Sequence, residues 1–148
     1  MKESREHEKE FYVPTGGPPQ GPGPSREIYA VMGERNIFRM CEDFYAELEK
    51  SSIRYMFSDD MQAASKRIAA FLVGLLGGPP LYHRQYGNPM MRQRHIAFPI
   101  DEEARQEWLR CFKSVLDNAE YKYNFPADHL PGFIRFLDEF SAWMVNRK

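Results

Sequence analysis

The chain has 148 residues, 43% of them apolar and 28% charged, with a formal net charge of −1. That size suits one domain with an appended tail, and the near-neutral balance provides no basic face of the kind that grips nucleic acid. The longest apolar run, Ile68 to Pro80, is broken by glycines and too short for a bilayer, Met1 to Glu10 is charged rather than secretory in character, and the two cysteines, Cys41 and Cys111, fit a reducing, cytoplasmic compartment.

Residues 1–24 read as a flexible tail. From Pro14 to Pro24, nine of eleven residues are Pro or Gly, too little apolar surface to offset the entropy of ordering. The folded domain is expected over 25–148. Ser25 is placed to cap a short helix carrying Ile28, Tyr29 and Met32. A second helix runs from about Glu34 to Lys50, with Ile37, Met40, Cys41, Phe44, Tyr45 and Leu48 on one stripe. A turn then delivers Tyr55, Met56 and Phe57. Ser58 or Asp59 is expected to cap a third helix with the stripe Met61, Ala64, Ile68, Phe71, Leu72 and Leu75, and Gly77-Gly78-Pro79-Pro80 stops it. Leu81 to Gly87 reads as irregular. Asn88-Pro89 looks like a cap and first residue of a short helix ending near His95. Asp101 caps a long helix bearing Ala104, Trp108, Cys111, Phe112, Val115 and Leu116. A Tyr-rich connection leads to a last helix, from about Asp128 to Val145, with Leu130, Phe133, Ile134, Leu137, Phe140, Ser141 and Met144 on one face. No segment alternates with period two. The chain is expected to be all-α, packed as a bundle or a globin-like sandwich.

Aromatics make up 14% of the chain, with eight Met beside them. That supply suits a core closing around a large flat apolar group, although composition alone favours a core filled by its own side chains. There is no HExxH, no Cys/His cluster, no P-loop, no GxSxG and no GxGxxG. Of the four histidines, His7 lies in the tail, His83 in a basic loop and His129 at the start of the last helix. His95 closes a short helix, with Arg92 and Arg94 before it and Ile96-Ala97-Phe98-Pro99-Ile100 after it. A haem-ligating imidazole needs apolar neighbours for the porphyrin face and cations for the propionates. A lone His in such a place also serves as a satisfied structural residue.

The run from Met90 to Ile100, followed by Arg105 and Trp108-Leu109-Arg110-Cys111, resembles the group II truncated haemoglobins. That family carries Gly-x-Pro-x-Leu-Arg-x-Arg-His-x-x-Phe-x-Ile and then Arg-x-x-Trp-Leu. Gly87-Asn88-Pro89 through Ile100 follows it nearly position by position, with Met91 in place of Leu, and Trp108 stands thirteen positions after His95. Phe44-Tyr45 matches the family's Phe-Tyr pair, and Gly77-Gly78-Pro79 its glycine break.

The resemblance implies a two-over-two helical sandwich around haem b, with His95 as the iron ligand. Tyr45 and Trp108 would donate hydrogen bonds to a ligand on the iron, and Phe57 would wedge against the porphyrin. Ala64 and Ile68 would line the distal side, with Phe71 beyond. Tyr82, Met91, Arg92, Arg94, Phe98 and Ile100 would complete the contacts with the cofactor. Phe57 stands where many group II members carry Tyr, which removes one donor. The expected function is reversible binding of dioxygen, NO and CO, with high oxygen affinity, by a monomer or homodimer. A haem-dependent redox enzyme is the alternative, a nitric oxide dioxygenase needing a reductase partner or a peroxidase-like protein. A haem-free helical interaction module is the third reading, distinguished by a colourless protein.

Overall fold

The computed structural model describes residues 12–95 and 98–148. Its helices are α1 (Ile28–Met32), α2 (Glu34–Glu49), α3 (Met61–Leu75), α4 (Leu81–Tyr86), α5 (Met91–His95), α6 (Glu102–Leu116), α7 (Ala119–Tyr123) and α8 (Leu130–Met144). Short 3-10 turns occupy Arg54–Met56 and Ala127–His129, and there is no strand among the described residues. None of these helices is long and apolar enough to cross a membrane.

The amphipathic stripes account for the architecture. On α2, Ile37, Met40, Cys41, Phe44 and Leu48 recur at helical spacing and are buried. They face α3 through Leu72 and Val73, and α6 through Phe112. α2 packs along α3 and across α6, and α6 packs on α8. The result is the all-α two-over-two sandwich that the sequence resemblance implies. Phe44 stacks on Phe112 with ring centroids 4.2 Å apart, and Phe112 meets Phe133 edge-on at 5.8 Å, so one aromatic column ties both layers. Cys41 and Cys111 are buried and free.

Local punctuation follows the expected residues with some shifts. Asp101 caps α6, its carboxylate accepting from Ala104 N–H at 2.8 Å. The cap of α3 is Asp60, which accepts from Ala63 N–H at 3.0 Å, and neither Ser58 nor Asp59 fills that place. Ser25 accepts from Glu27 N–H, and α1 itself starts without a side-chain cap. Leu81–Tyr86, expected to be irregular, is helix α4, because Tyr82 is buried against Phe71. α5 begins at Met91 rather than at Pro89, since Met90 sits at φ 34°, outside the helical range. The Tyr-rich connection contains α7, bounded by Asn118 and Asn124 in left-handed conformations that Asn tolerates best after Gly.

The glycine break after α3 is sterically required. Gly77 has φ 106°, and a Cβ there would meet Arg26 O at 1.8 Å. Its neighbour Gly78 lies against the Tyr29 ring, 2.6 Å from where a Cβ would stand. This close approach lets Tyr29 N–H donate to Leu76 O at 2.9 Å, seating α1 on the end of α3. Gly77→Ala is expected to destabilise the protein by about 2–4 kcal/mol, through positive-φ strain and a backbone clash that no rotamer relieves. Denaturant unfolding of the variant checks this.

Of the expected tail, residues 1–11 lie outside the described residues. Residues 12–24 contain no helix. Tyr12 N–H donates to Asn146 O at 2.8 Å, which lays the start of this segment beside the C-terminus.

Candidate functional site

A cavity of about 330 Å³ opens between the two layers. α2 brings Phe44 and Tyr45 to it, and the turn after α2 brings Ile53, Met56 and Phe57. α3 contributes Ala64, Arg67 and Ile68, and α4 contributes Tyr82. Met91, Arg94 and His95 come from α5, and Phe98 and Ile100 from the segment after it. Ala104, Arg105 and Trp108 of α6 and Phe140, Ser141 and Met144 of α8 close the wall.

His95 is oriented by its own helix. Its Nδ1 lies 2.6 Å from Met91 O, one turn back. That carbonyl can only accept, so the proton sits on Nδ1 and Nε2 is left with a free lone pair. Burial lowers the His95 pKa, with the Met91 carbonyl acting in the opposite direction. The ring is therefore neutral at pH 7, the form in which imidazole ligates a metal.

Tyr45 and Trp108 come from different layers. Phe44 separates them, with centroids 5.4 Å from each and near-perpendicular rings. Burial raises the Tyr45 pKa, the nearby Cys41 adding to the effect and Arg67 opposing it. The hydroxyl thus remains a donor at neutral pH. Neither the Tyr45 hydroxyl nor the Trp108 indole N–H has a hydrogen-bond partner among the described residues, although both side chains line the cavity. Both residues are only partly buried, and their polar atoms open onto the cavity, where a guest can serve as the acceptor. The Tyr45 ring is held edge-on to Phe57 at 5.8 Å, which aims the hydroxyl while leaving it unpaired.

The turn carrying Phe57 is anchored from α6. Ser52 N–H donates to Glu107 Oε2 at 3.2 Å, and Glu107 also pairs with Arg110 at 2.6 Å. The Arg110 guanidinium, helped by the Ser52 bond, holds the Glu107 carboxyl down at about 2, from an ordinary 4.5. A depressed carboxylate stabilises the fold above its unfolded pKa. That contribution is therefore lost as pH falls from 4.5 towards 2. Glu107→Gln is expected to flatten the pH dependence of the thermal midpoint across that window, and an unchanged slope would count against the anchor.

The cavity collects every residue expected from the sequence to face it except two. Phe71 lies one layer back, packing on Tyr82 at 6.1 Å and Phe140 at 5.9 Å, which are themselves in the wall. Arg92, expected beside Arg94 at the propionates, turns away. Its guanidinium donates to the carbonyls of Trp143 and Val145 (2.7 Å for Val145) and to Tyr12 O at 3.0 Å, and stacks 4.6 Å from the Trp143 ring. Arg94 lines the cavity while its Nε and terminal nitrogen hold the carbonyls of Tyr86, Asn88 and Pro89. Ile96 and Ala97, part of the expected apolar run, lie outside the described residues.

Sequence reasoning missed Arg67, an exposed cation at the cavity wall. Its position one residue before Ile68 could have drawn attention to it. Arg105 belonged to the recognised motif, but its role was not legible. It ties α6 to α8, donating to Ser141 Oγ at 3.0 Å and pairing with Glu102 and Asp138. Phe98 is 43% exposed although apolar, which suits the edge of a flat apolar group entering the mouth.

The sequence pattern of the bacterial-like globins matches residues 27–141. The group 2 truncated hemoglobin YjbI of Bacillus subtilis is 34% identical over 91 residues, 61% of this chain and 69% of that one. The group 2 truncated hemoglobin 3-1 of Lotus japonicus is 30% identical over 96 residues, 62% of this chain and 57% of that longer protein. Among solved structures, phosphate-bound Hell's gate globin IV has 36% identity and a TM-score of 0.79, over 87% of this chain and 80% of that one. The truncated oxygen-avid haemoglobin of Bacillus subtilis has 29% identity and a TM-score of 0.73, over 80% of this chain and 98% of that one. Since the matched span takes in every cavity-lining residue except Met144, the chain belongs to the bacterial-like globin family and sits among its group II truncated haemoglobins.

Proposed function

We infer that this globin binds haem b through His95 and reversibly takes dioxygen, NO or CO on the opposite side, holding dioxygen tightly. One observation carries the reading. A neutral imidazole with its Nε2 lone pair free and two donors without a protein partner line the same apolar cavity.

The haem would supply an iron with a coordination position for the diatomic ligand. The chain's residues do the rest. Met91 O holds the Nδ1 proton and with it the plane of the His95 ring. Phe57, Ile68, Phe98 and Ile100 supply apolar faces that exclude water. Tyr45 and Trp108 donate hydrogen bonds to a guest carrying partial negative charge. Arg67 and Arg94, rather than the expected pair Arg92 and Arg94, are the cations available for the propionates. Ala64 leaves the distal entry without a bulky gate. The Bacillus subtilis neighbour is described as oxygen-avid, and two donors facing a largely apolar pocket support the same behaviour here.

The test is an absorption spectrum of the purified, haem-supplied protein in ferric, ferrous and CO-bound forms. A Soret band that shifts on reduction and on CO addition is expected. A protein that takes up no haem would refute the reading.

A further inference from the structure

Helix α5, which carries His95, is a single turn with no buried residue. One turn fixes several backbone dihedrals for very few hydrogen bonds and does not hold itself in water. Something outside the helix must therefore set where the imidazole stands. Met91 O controls only the rotation of the ring, not the height or tilt of the segment.

The C-terminal strap, residues 145–148 beyond the end of α8, supplies what the helix lacks. Asn146 is fully buried. Its side-chain amide donates to His95 O at 3.2 Å and to Phe98 O at 3.0 Å, while its Oδ1 accepts from Ile100 N–H at 2.9 Å. Its backbone N–H and that of Arg147 both donate to Ile100 O, at 2.9 and 3.0 Å. One side chain thus grips the main chain of the ligand residue and of the segment that follows it. From the other direction, Arg92, three residues before His95, reaches the carbonyls of Trp143 in the last turn of α8 and of Val145 at the start of the strap. Tyr12 completes the junction, accepting from Arg92 and donating to Asn146 O.

We propose that Asn146 and Arg92 are positioning residues for the proximal ligand, and that the C-terminal strap sets the placement of His95 relative to the iron. This explains why Arg92 turns away from the cavity mouth. The guanidinium is a planar fork suited to several carbonyls at once, and here it serves the ligand's backbone. The inference rests on His95 being the iron ligand.

The test is resonance Raman spectroscopy of the ferrous haem protein, reading the iron–histidine stretching band, with haem transfer to an acceptor globin as a second measurement. Asn146→Ala and Arg92→Gln are expected to shift and broaden the band. They are also expected to speed haem loss by about tenfold to a hundredfold, the usual scale for losing an outer partner of a ligand. Asn146→Asp keeps an acceptor for Ile100 N–H but removes the donor to His95 O, and is expected to move the band as well. Arg92→Lys keeps a cationic donor and is expected to recover part of the wild-type band. Tyr123→Phe, which loses the bond to Asp43 away from the cavity, serves as a control for general destabilisation and is expected to leave the band in place. If Asn146→Ala does not fold, the Arg92→Gln and Arg92→Lys pair carries the comparison. A band unmoved in the Asn146 and Arg92 variants, or moved equally by Tyr123→Phe, overturns the clamp. A band that survives His95→Gly overturns the clamp and the ligand assignment together, whereas its loss there with no movement elsewhere overturns the clamp alone.

Discussion

Tyr45→Phe and Trp108→Phe are each expected to speed dioxygen release, by up to roughly a hundredfold. The donors face a largely apolar cavity, and neither has a hydrogen-bond partner among the described residues. A hydrogen bond made there to a partly charged guest contributes about 1–3 kcal/mol, and about 1.4 kcal/mol is tenfold in affinity. The Tyr45→Phe change removes only the hydroxyl. The phenyl ring keeps its edge contacts with Phe44 at 5.4 Å and Phe57 at 5.8 Å, so the fold is expected to be little disturbed. Trp108→Phe also shrinks the ring packed against Phe44 and Phe112, and its effect will include a packing component. The two donors share Phe44 as a neighbour and would serve one guest. The double variant is therefore expected to fall short of the product of the single effects. Stopped-flow replacement of dioxygen by CO measures all three rates, and unchanged rates in both single variants would sink the distal reading.

His95→Gly is expected to weaken haem binding by about a hundredfold or more, a loss at least as large as that for removing an outer partner of a ligand. Among the described residues no other histidine lines the cavity. Removing the ring also leaves a space shaped for an imidazole and an unused acceptor at Met91 O. Free imidazole added to the variant is accordingly expected to restore much of the wild-type spectrum. Haem titration with and without imidazole reads this directly. A variant that binds haem as tightly as the wild-type protein, with an unaltered spectrum, would remove His95 from the role assigned to it.

Much of the architecture was legible because it depends on neighbours in sequence. Helical periodicity marked α2, α3, α6 and α8, since a stripe repeating every three or four residues has one way to be buried. Asp101 was recognisable as a cap, because capping needs only a carboxylate and the amides just ahead of it. Gly77 and Gly78 declared a tight passage that the Arg26 carbonyl and the Tyr29 ring then explained. His95, Tyr45 and Trp108 were found through the spacing of a recognisable motif, which records the geometry of a cavity without describing it.

What the sequence by itself determined, then, was where the long helices run, which faces they bury, and which side chains are candidates for the chemistry. Only the tertiary structure decided the direction of Arg92, the retreat of Phe71 behind Tyr82 and Phe140, the helicity of Leu81–Tyr86, and the grip of Asn146 on the backbone around His95. Each of these turns on a contact between residues brought together by chain closure. Arg92 had two kinds of acceptor within reach in principle, a cofactor's carboxylates or a cluster of orphan carbonyls. Its choice depended on where α8 ends, some fifty residues away. No local rule reads that distance. The carbonyls at the end of α8 needed donors, and a guanidinium passing beside them satisfied that need.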